Sequence, residues 1–191
     1  QDLIDKRNMR PGDRVLLTKG VAVEGTAIIA NAFADRLLAL GLTAAELEDC
    51  RRLVDQISIL PEAAVARRMT NVTAMHDVTE GGIAAAIYEL SCAGGHQLDI
   101  HLDRIPVLPV TDRLCRLLDV DPLGLIGSGS LLIVCRPDTA DALMAAIGAE
   151  GIPVAWIGDV SAPGQGVRAH HNGERVNWPE FEVDEITRLF E

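Results

Sequence analysis

The stretch from residue 75 to residue 83 reads Met75-His76-Asp77-Val78-Thr79-Glu80-Gly81-Gly82-Ile83. Before it, Thr73-Ala74-Met75-His76 reads as a short strand. After it, Ile83, Ile87 and Leu90 fall on one face of a helix running to Ala93. The chain therefore passes from strand to helix through two carboxylates, a histidine, a threonine and a glycine pair. A helix N-terminus exposes unpaired N–H groups and a partial positive charge. Glycines there let a ligand approach closely, so Gly81 and Gly82 have the makings of an anion site. Glu80 repels a bare phosphate, whereas Asp77 and Glu80 together suit a divalent cation lying between them and a phosphate. His76 suits ligand orientation or proton transfer. A plainer reading stands beside this one. Thr79 or Asp77 caps the helix, the glycines only permit the turn, and His76 is a strand-end histidine. Neither G-x-G-x-x-G nor G-x-x-x-x-G-K-[ST] occurs here.

Two other loops are rich in glycine. Lys19-Gly20 to Glu24-Gly25-Thr26 separates a strand, Val15 to Thr18, from a helical pattern running from Gly25 to Leu40 and capped by Gly41. Lys19, at a strand end facing a helix start, is placed to meet a phosphate or simply to be solvated. The stretch Asp121-Pro122-Leu123-Gly124-Leu125-Ile126-Gly127-Ser128-Gly129-Ser130 feeds Leu131 to Cys135, a strand apolar on both faces.

Further elements follow local signals. Thr43 and Glu46 form a capping box for a helix to about Asp55, and Pro61 opens another helix. Gln97 to Leu102 alternates as a half-exposed strand does. Val110 to Leu118 and Pro137 to Ala149 read as helices, and Val154 to Val160 as a strand. His171-Asn172-Gly173-Glu174 marks a hairpin within Val167 to Val176. Val183 to Phe190 closes the chain as a helix. Strands alternating with helices, then a late hairpin, predict an α/β (α+β) fold with a mixed β-sheet covered by helices.

Composition narrows the function. The 191 residues are 48% hydrophobic but only 3% aromatic, and the formal net charge is −11. So acidic a chain, without a basic patch or stacking platforms, is unsuited to nucleic acid. It carries no apolar run of membrane-spanning length and no signal-peptide pattern. Cys50, Cys92, Cys115 and Cys135 are widely spaced, as buried thiols of a cytoplasmic protein are. Neighbouring His170 and His171 on a strand point to opposite faces and cannot easily share an ion. Gln1 is not an initiator Met, which suggests a processed chain or a piece of a longer one.

Gly12-Asp13-Arg14-Val15-Leu16-Leu17-Thr18-Lys19, the Met75 to Gly82 stretch, and Asp121 to Leu125 followed by Ser128 to Leu132 resemble, in order, three segments of one superfamily. They are similar to the C-terminal domain of the aminoimidazole ribonucleotide (AIR) synthetase superfamily, in its AIR synthase-related group near the HypE hydrogenase maturation proteins. Other relatives include thiamine-monophosphate kinase. The resemblance implies residues 1–13 as a lead-in from a missing domain and residues 14–191 as the C-terminal domain. That missing N-terminal domain of the same protein would hold most of the ATP and Mg2+ and form a homodimer. The present domain would close a cleft over nucleotide and a small-molecule substrate, and be inactive alone. The chemistry implied is an ATP-dependent ligase or phosphotransferase. A small-molecule kinase and a non-catalytic interaction domain that kept the fold are the alternatives.

Carried over by motif, the nucleotide or substrate site takes Lys19, Gly25, Thr26, His76, Asp77, Thr79, Glu80, Gly81, Gly82, Ser128 and Gly129, with Asp77 as the metal ligand. The loop after Lys19 departs from the family's usual Pro-Leu-Gly-Thr-Gly. HypE-type proteins end in a cysteine that carries the modified group, whereas this sequence ends Thr187-Arg188-Leu189-Phe190-Glu191. The substrate is thereby left open. A domain cut from its partner is also expected to expose an apolar patch.

Overall fold

The computed structural model describes residues 4–190. In chain order its strands are β1 (Arg14–Thr18), β2 (Val72–Asp77), β3 (His96–His101), β4 (Leu131–Cys135), β5 (Val154–Pro163), β6 (Val167–His171) and β7 (Glu174–Val176). Its α-helices are α1 (Val23–Ala32), α2 (Ala34–Ala39), α3 (Ala44–Arg52), α4 (Leu60–Ala66), α5 (Gly82–Gly94), α6 (Pro109–Leu118) and α7 (Pro137–Ala149). The strands form one sheet in the order β2-β4-β1-β5-β3-β6-β7. All neighbours pair antiparallel except β3 and β6, which run parallel, so the sheet is mixed as expected.

Strand periodicity distributes the core. Successive side chains point to opposite faces, and both faces of β1 and β4 are covered. Val15, Leu17, Leu132 and Val134 meet Ile83, Ala86, Ile87 and Leu90 of α5 on one side. Leu16, Leu131, Ile133 and Cys135 meet Ala66 of α4 and Ala140, Leu143 and Ile147 of α7 on the other. A third cluster joins α1, α2, α3 and α6 through Ile29, Leu37, Leu47, Cys50, Leu114 and Leu118. Burial pushes the Cys50 thiol up to about 11 and those of Cys115 and Cys135 to about 12, which keeps them unreactive. Among the described residues no helix is long and apolar enough to cross a membrane.

Most expected elements form within a residue or two of their signals. The Thr43–Glu46 capping box is made reciprocally at the start of α3. Two expectations are corrected. The helix expected from Gly25 to Leu40 starts earlier and is broken at Phe33, whose φ of −121° leaves the helical range, giving α1 and α2. The closing helix is one 3-10 segment, Glu185–Leu189, because its residues serve loops elsewhere in the molecule. The segment before β1 packs onto this domain. Met9 and Asp13 are buried, and Asp13 pairs with Arg136 while accepting hydrogen bonds from Thr73 Oγ1 and Arg10 N.

Gly158 sits in β5, flanked by β1 and β3, and a Cβ there would lie 2.1 Å from the Asp99 carbonyl oxygen. Gly158→Ala is expected to lower stability by about 3 kcal/mol or more in urea titrations, since backbone must move. Gly173→Ala, in the hairpin at φ +83° with open space around it, should cost only about 1–2 kcal/mol.

Candidate functional site at the start of α5

Three loops converge at the head of α5. The end of β2 is tied to the start of β4 by Val78 N donating to Ser130 O at 3.1 Å. Thr79 O then accepts from both Gly82 N (3.1 Å) and Gly127 N (3.2 Å). Gly81 and Gly82 are both left-handed, at φ +72° and +62°. A Cβ on Gly82 would lie 2.6 Å from Leu123 O, and one on Gly25 would lie 2.6 Å from Leu125 Cγ. Only glycine permits both the turn and these approaches. The sequence-predicted stretches 19–26, 75–83 and 121–130 therefore lie side by side.

Their polar groups divide into inward and outward sets. Lys19 turns inward. Its ammonium pairs with Glu62 at 2.8 Å and donates to Gln56 O (3.0 Å), Ser58 O (2.8 Å) and Gly129 O (2.8 Å). An ammonium carries three protons, so the capacity expected to serve a phosphate is used by the fold. Glu62 is completely buried and accepts also from Thr18 Oγ1, while its Oε2 has no hydrogen-bond partner among the described residues. Thr26 is likewise internal, its hydroxyl donating to Ala22 O at 2.7 Å and accepting from Thr111 Oγ1 at 2.9 Å. Gly25 and Gly129 are buried in packing.

The amides of Gly81, Gly82 and Ala84 at the head of α5 are also taken. No side chain of Thr79 or Asp77 caps the helix; Gly81 is its N-cap. Asp184, 103 residues away, sets its carboxylate there instead. Its Oδ2 accepts from Gly81 N at 2.8 Å, and its Oδ1 accepts from Ile126 N (3.2 Å) and Ile186 N (3.0 Å). Ala84 N donates to Leu123 O. The anion expected at this terminus is thus a carboxylate of the chain itself, favoured by the partial positive charge of the helix. Sequence reasoning missed Asp184 and Glu62; an unassigned acidic residue offers no local signal of such a role.

The outward set is Asp77 and Glu80, both exposed, with Thr79 and Ser128 half-buried. His76 Nε2 lies 3.0 Å from Glu89 Oε2, and its Nδ1 lies 3.6 Å from Asp77 Oδ1, so it bridges two carboxylates on the rim. Among the described residues no group of three or more His, Cys, Asp or Glu gathers to hold a metal. Asp77 fits Mg2+ only as one oxygen ligand beside phosphate and water, the way Mg2+ is commonly held with nucleotides.

Residues 10–170 match the family described as AIR synthase related protein, C-terminal domain. Carbamoyl dehydratase HypE of Cupriavidus necator is 32% identical over 146 residues, 76% of this chain and 38% of that protein. The HypE of Rhizobium leguminosarum bv. viciae is 30% identical over 178 residues, 88% and 47%. The chain therefore spans less than half the length of these relatives. The crystal structure of Escherichia coli HypE superposes with a TM-score of 0.74 at 26% identity, covering 95% of this chain and 54% of that one. A HypE solved in complex with ATP (TM-score 0.68, 20% identity, 95% and 54%) shares the fold. So does thiamine-monophosphate kinase from Stenotrophomonas maltophilia (TM-score 0.67, 21%, 91% and 54%).

Lys19→Met is expected to destabilise the chain by about 3–5 kcal/mol in urea unfolding, because it leaves the Glu62 carboxylate buried and unpaired. Lys19→Met with Glu62→Leu should recover most of that loss. A single variant of unchanged stability would return Lys19 to the set of ligand-facing residues.

Proposed function

We propose that this chain, which belongs to the AIR synthase related family through its C-terminal domain, is the part of an ATP-dependent enzyme that closes over nucleotide and substrate. The observation that carries the reading is the convergence of loops 19–26, 75–83 and 121–130 with Asp77 and Glu80 exposed at their rim. A preceding domain would hold most of the nucleotide and Mg2+, and Asp77 is the residue of this chain that would add an oxygen ligand to the metal. Similarity to proteins named carbamoyl dehydratase supports a substrate carbonyl as the target. The oxygen of a carbamoyl group takes the γ-phosphoryl group of ATP and ADP departs; the carbamoyl nitrogen then gives up its two protons to solvent and forms a triple bond to carbon as the C–O bond breaks and phosphate leaves. In such chemistry the protein contributes position and charge neutralisation. A small-molecule substrate, dimerisation through the preceding domain and a cytoplasmic setting belong to the same proposal.

A second reading has its own observations. Lys19 is saturated internally and Asp184 occupies the helix terminus, as suits a domain that kept the fold for interaction alone.

Calorimetric titration with Mg-ATP, repeated with a chelator, separates the two when run on this chain and on the longer protein containing it. Metal-dependent binding and phosphate release by the longer protein are expected. Saturation at about 100 times the dissociation constant should stabilise it by roughly 2.7 kcal/mol. Asp77→Ala should lower turnover by about 100-fold or more with the melting temperature unchanged, because the side chain is exposed. A longer protein that neither binds nor turns over any nucleotide overturns the proposal. Turnover intact in Asp77→Ala, with loss of a protein partner, selects the interaction reading.

A further inference from the structure

The chain has only six aromatic residues, two Trp, one Tyr and three Phe. Three of them, Tyr88, Trp178 and Phe181, line one cleft of about 450 Å³ between α5 and the segment that follows β7. That volume is in the range of small-molecule sites. Such a concentration in so aromatic-poor a protein calls for a reason beyond filling space.

The walls are held in place. Trp178 Nε1 donates to Ala84 O at 3.3 Å, and the indole packs against the main core. Phe181 lies over Gly124 so closely that a Cβ there would sit 2.6 Å from its ring. Just beyond, Asp184 is pinned to Gly81 N and Ile126 N. The floor is small, formed by Gly81, Ala84 and Ala85 of the α5 head. Two of the three rings, Trp178 and Phe181, are therefore already held in place, which lowers the ordering cost of binding.

Its electrostatics are one-sided. Glu180 is the one charged residue among those lining it, and no Lys, Arg or His is among them. Glu180 is exposed and lines the same cleft as Tyr88, whose phenol proton is held on more firmly than usual, chiefly through the neighbouring Cys92 and in smaller part through the charge of Glu180. Aromatic faces attract cations, and a carboxylate beside them adds to that attraction. An anion finds no cationic side chain among the lining residues, and the α5 terminus beneath them is already occupied by the Asp184 carboxylate.

We propose that the cleft between α5 and residues 178–181 binds a small planar aromatic cation, its ring between Trp178, Phe181 and Tyr88 and its charge at Glu180. The site is built wholly from this chain and stands whether or not a nucleotide binds near Asp77.

Benzamidine, a planar cation, and benzoate, an anion of similar shape, test this by amide chemical-shift titration of the intact chain. Benzamidine should give saturable shifts confined to residues 81–88 and 178–181, with a dissociation constant below about 10 mM. Benzoate should give none there. Glu180→Gln should weaken benzamidine about fivefold, and Tyr88→Leu should weaken it as well; both positions are exposed, so folding is preserved. Equal shifts with benzoate, shifts scattered over the surface, no saturation, or unchanged affinity in both variants would each overturn the assignment.

Discussion

The buried pair of Lys19 and Glu62 is the constraint from which the arrangement of loops follows. One ammonium ties the end of β1 to the residues before α4, through Gln56 and Ser58, and to the loop before β4, through Gly129. Removing two charges from water is costly, and here it is offset only because every ammonium proton finds an oxygen. Glu62 is less well served, since one of its oxygens stays unpartnered among the described residues. The pair thus specifies where three segments meet more than it adds to stability. Once they meet, Gly25, Gly82 and Gly129 must lack side chains, and the rim carboxylates Asp77 and Glu80 have a fixed platform.

What could be read in advance was what depends on near neighbours. The α7 helix begins at Pro137 and ends at Ala149, as its proline and periodicity indicate. The His171–Glu174 turn makes the expected hairpin because Asn172 and Gly173 accept positive φ. The three glycine-rich loops, each legible from its own residues, lie side by side. Their internal roles were not legible, because those depend on residues far off in sequence. Lys19 at a strand end looks alike whether its partner is solvent, a phosphate or Glu62. Asp184 gives no hint that it will cap a helix 103 residues earlier. The break at Phe33 escaped because the apolar period runs through it unchanged.

The segment after β7 illustrates how much work irregular structure can carry. It supplies Trp178 and Phe181 to the cleft, Asp184 to the α5 head, and Glu185 Oε2 to Asp121 N at 2.8 Å. Ile186 and Leu189 then pack against the helical cluster, and Phe190 lies 5.0 Å from Phe33 between ring centroids. A regular α-helix would aim these groups along a single face. The extended chain followed by a short 3-10 turn sends them to separate targets, so the segment acts as a strap across the two loops beside α5.

The position of Asp184 in the chain has a consequence for synthesis. A ribosome delivers the polypeptide from its N-terminus, and domains form as their residues emerge. The head of α5 is made by residue 82, and its neighbouring loop by residue 130, but the carboxylate that neutralises both arrives more than fifty residues later. Until then those amides face solvent or whatever anion the nascent chain meets. The junction of the three loops is the last part to be completed, and a chain stalled before residue 184 would carry a finished sheet with the Gly81 and Ile126 amides unsealed.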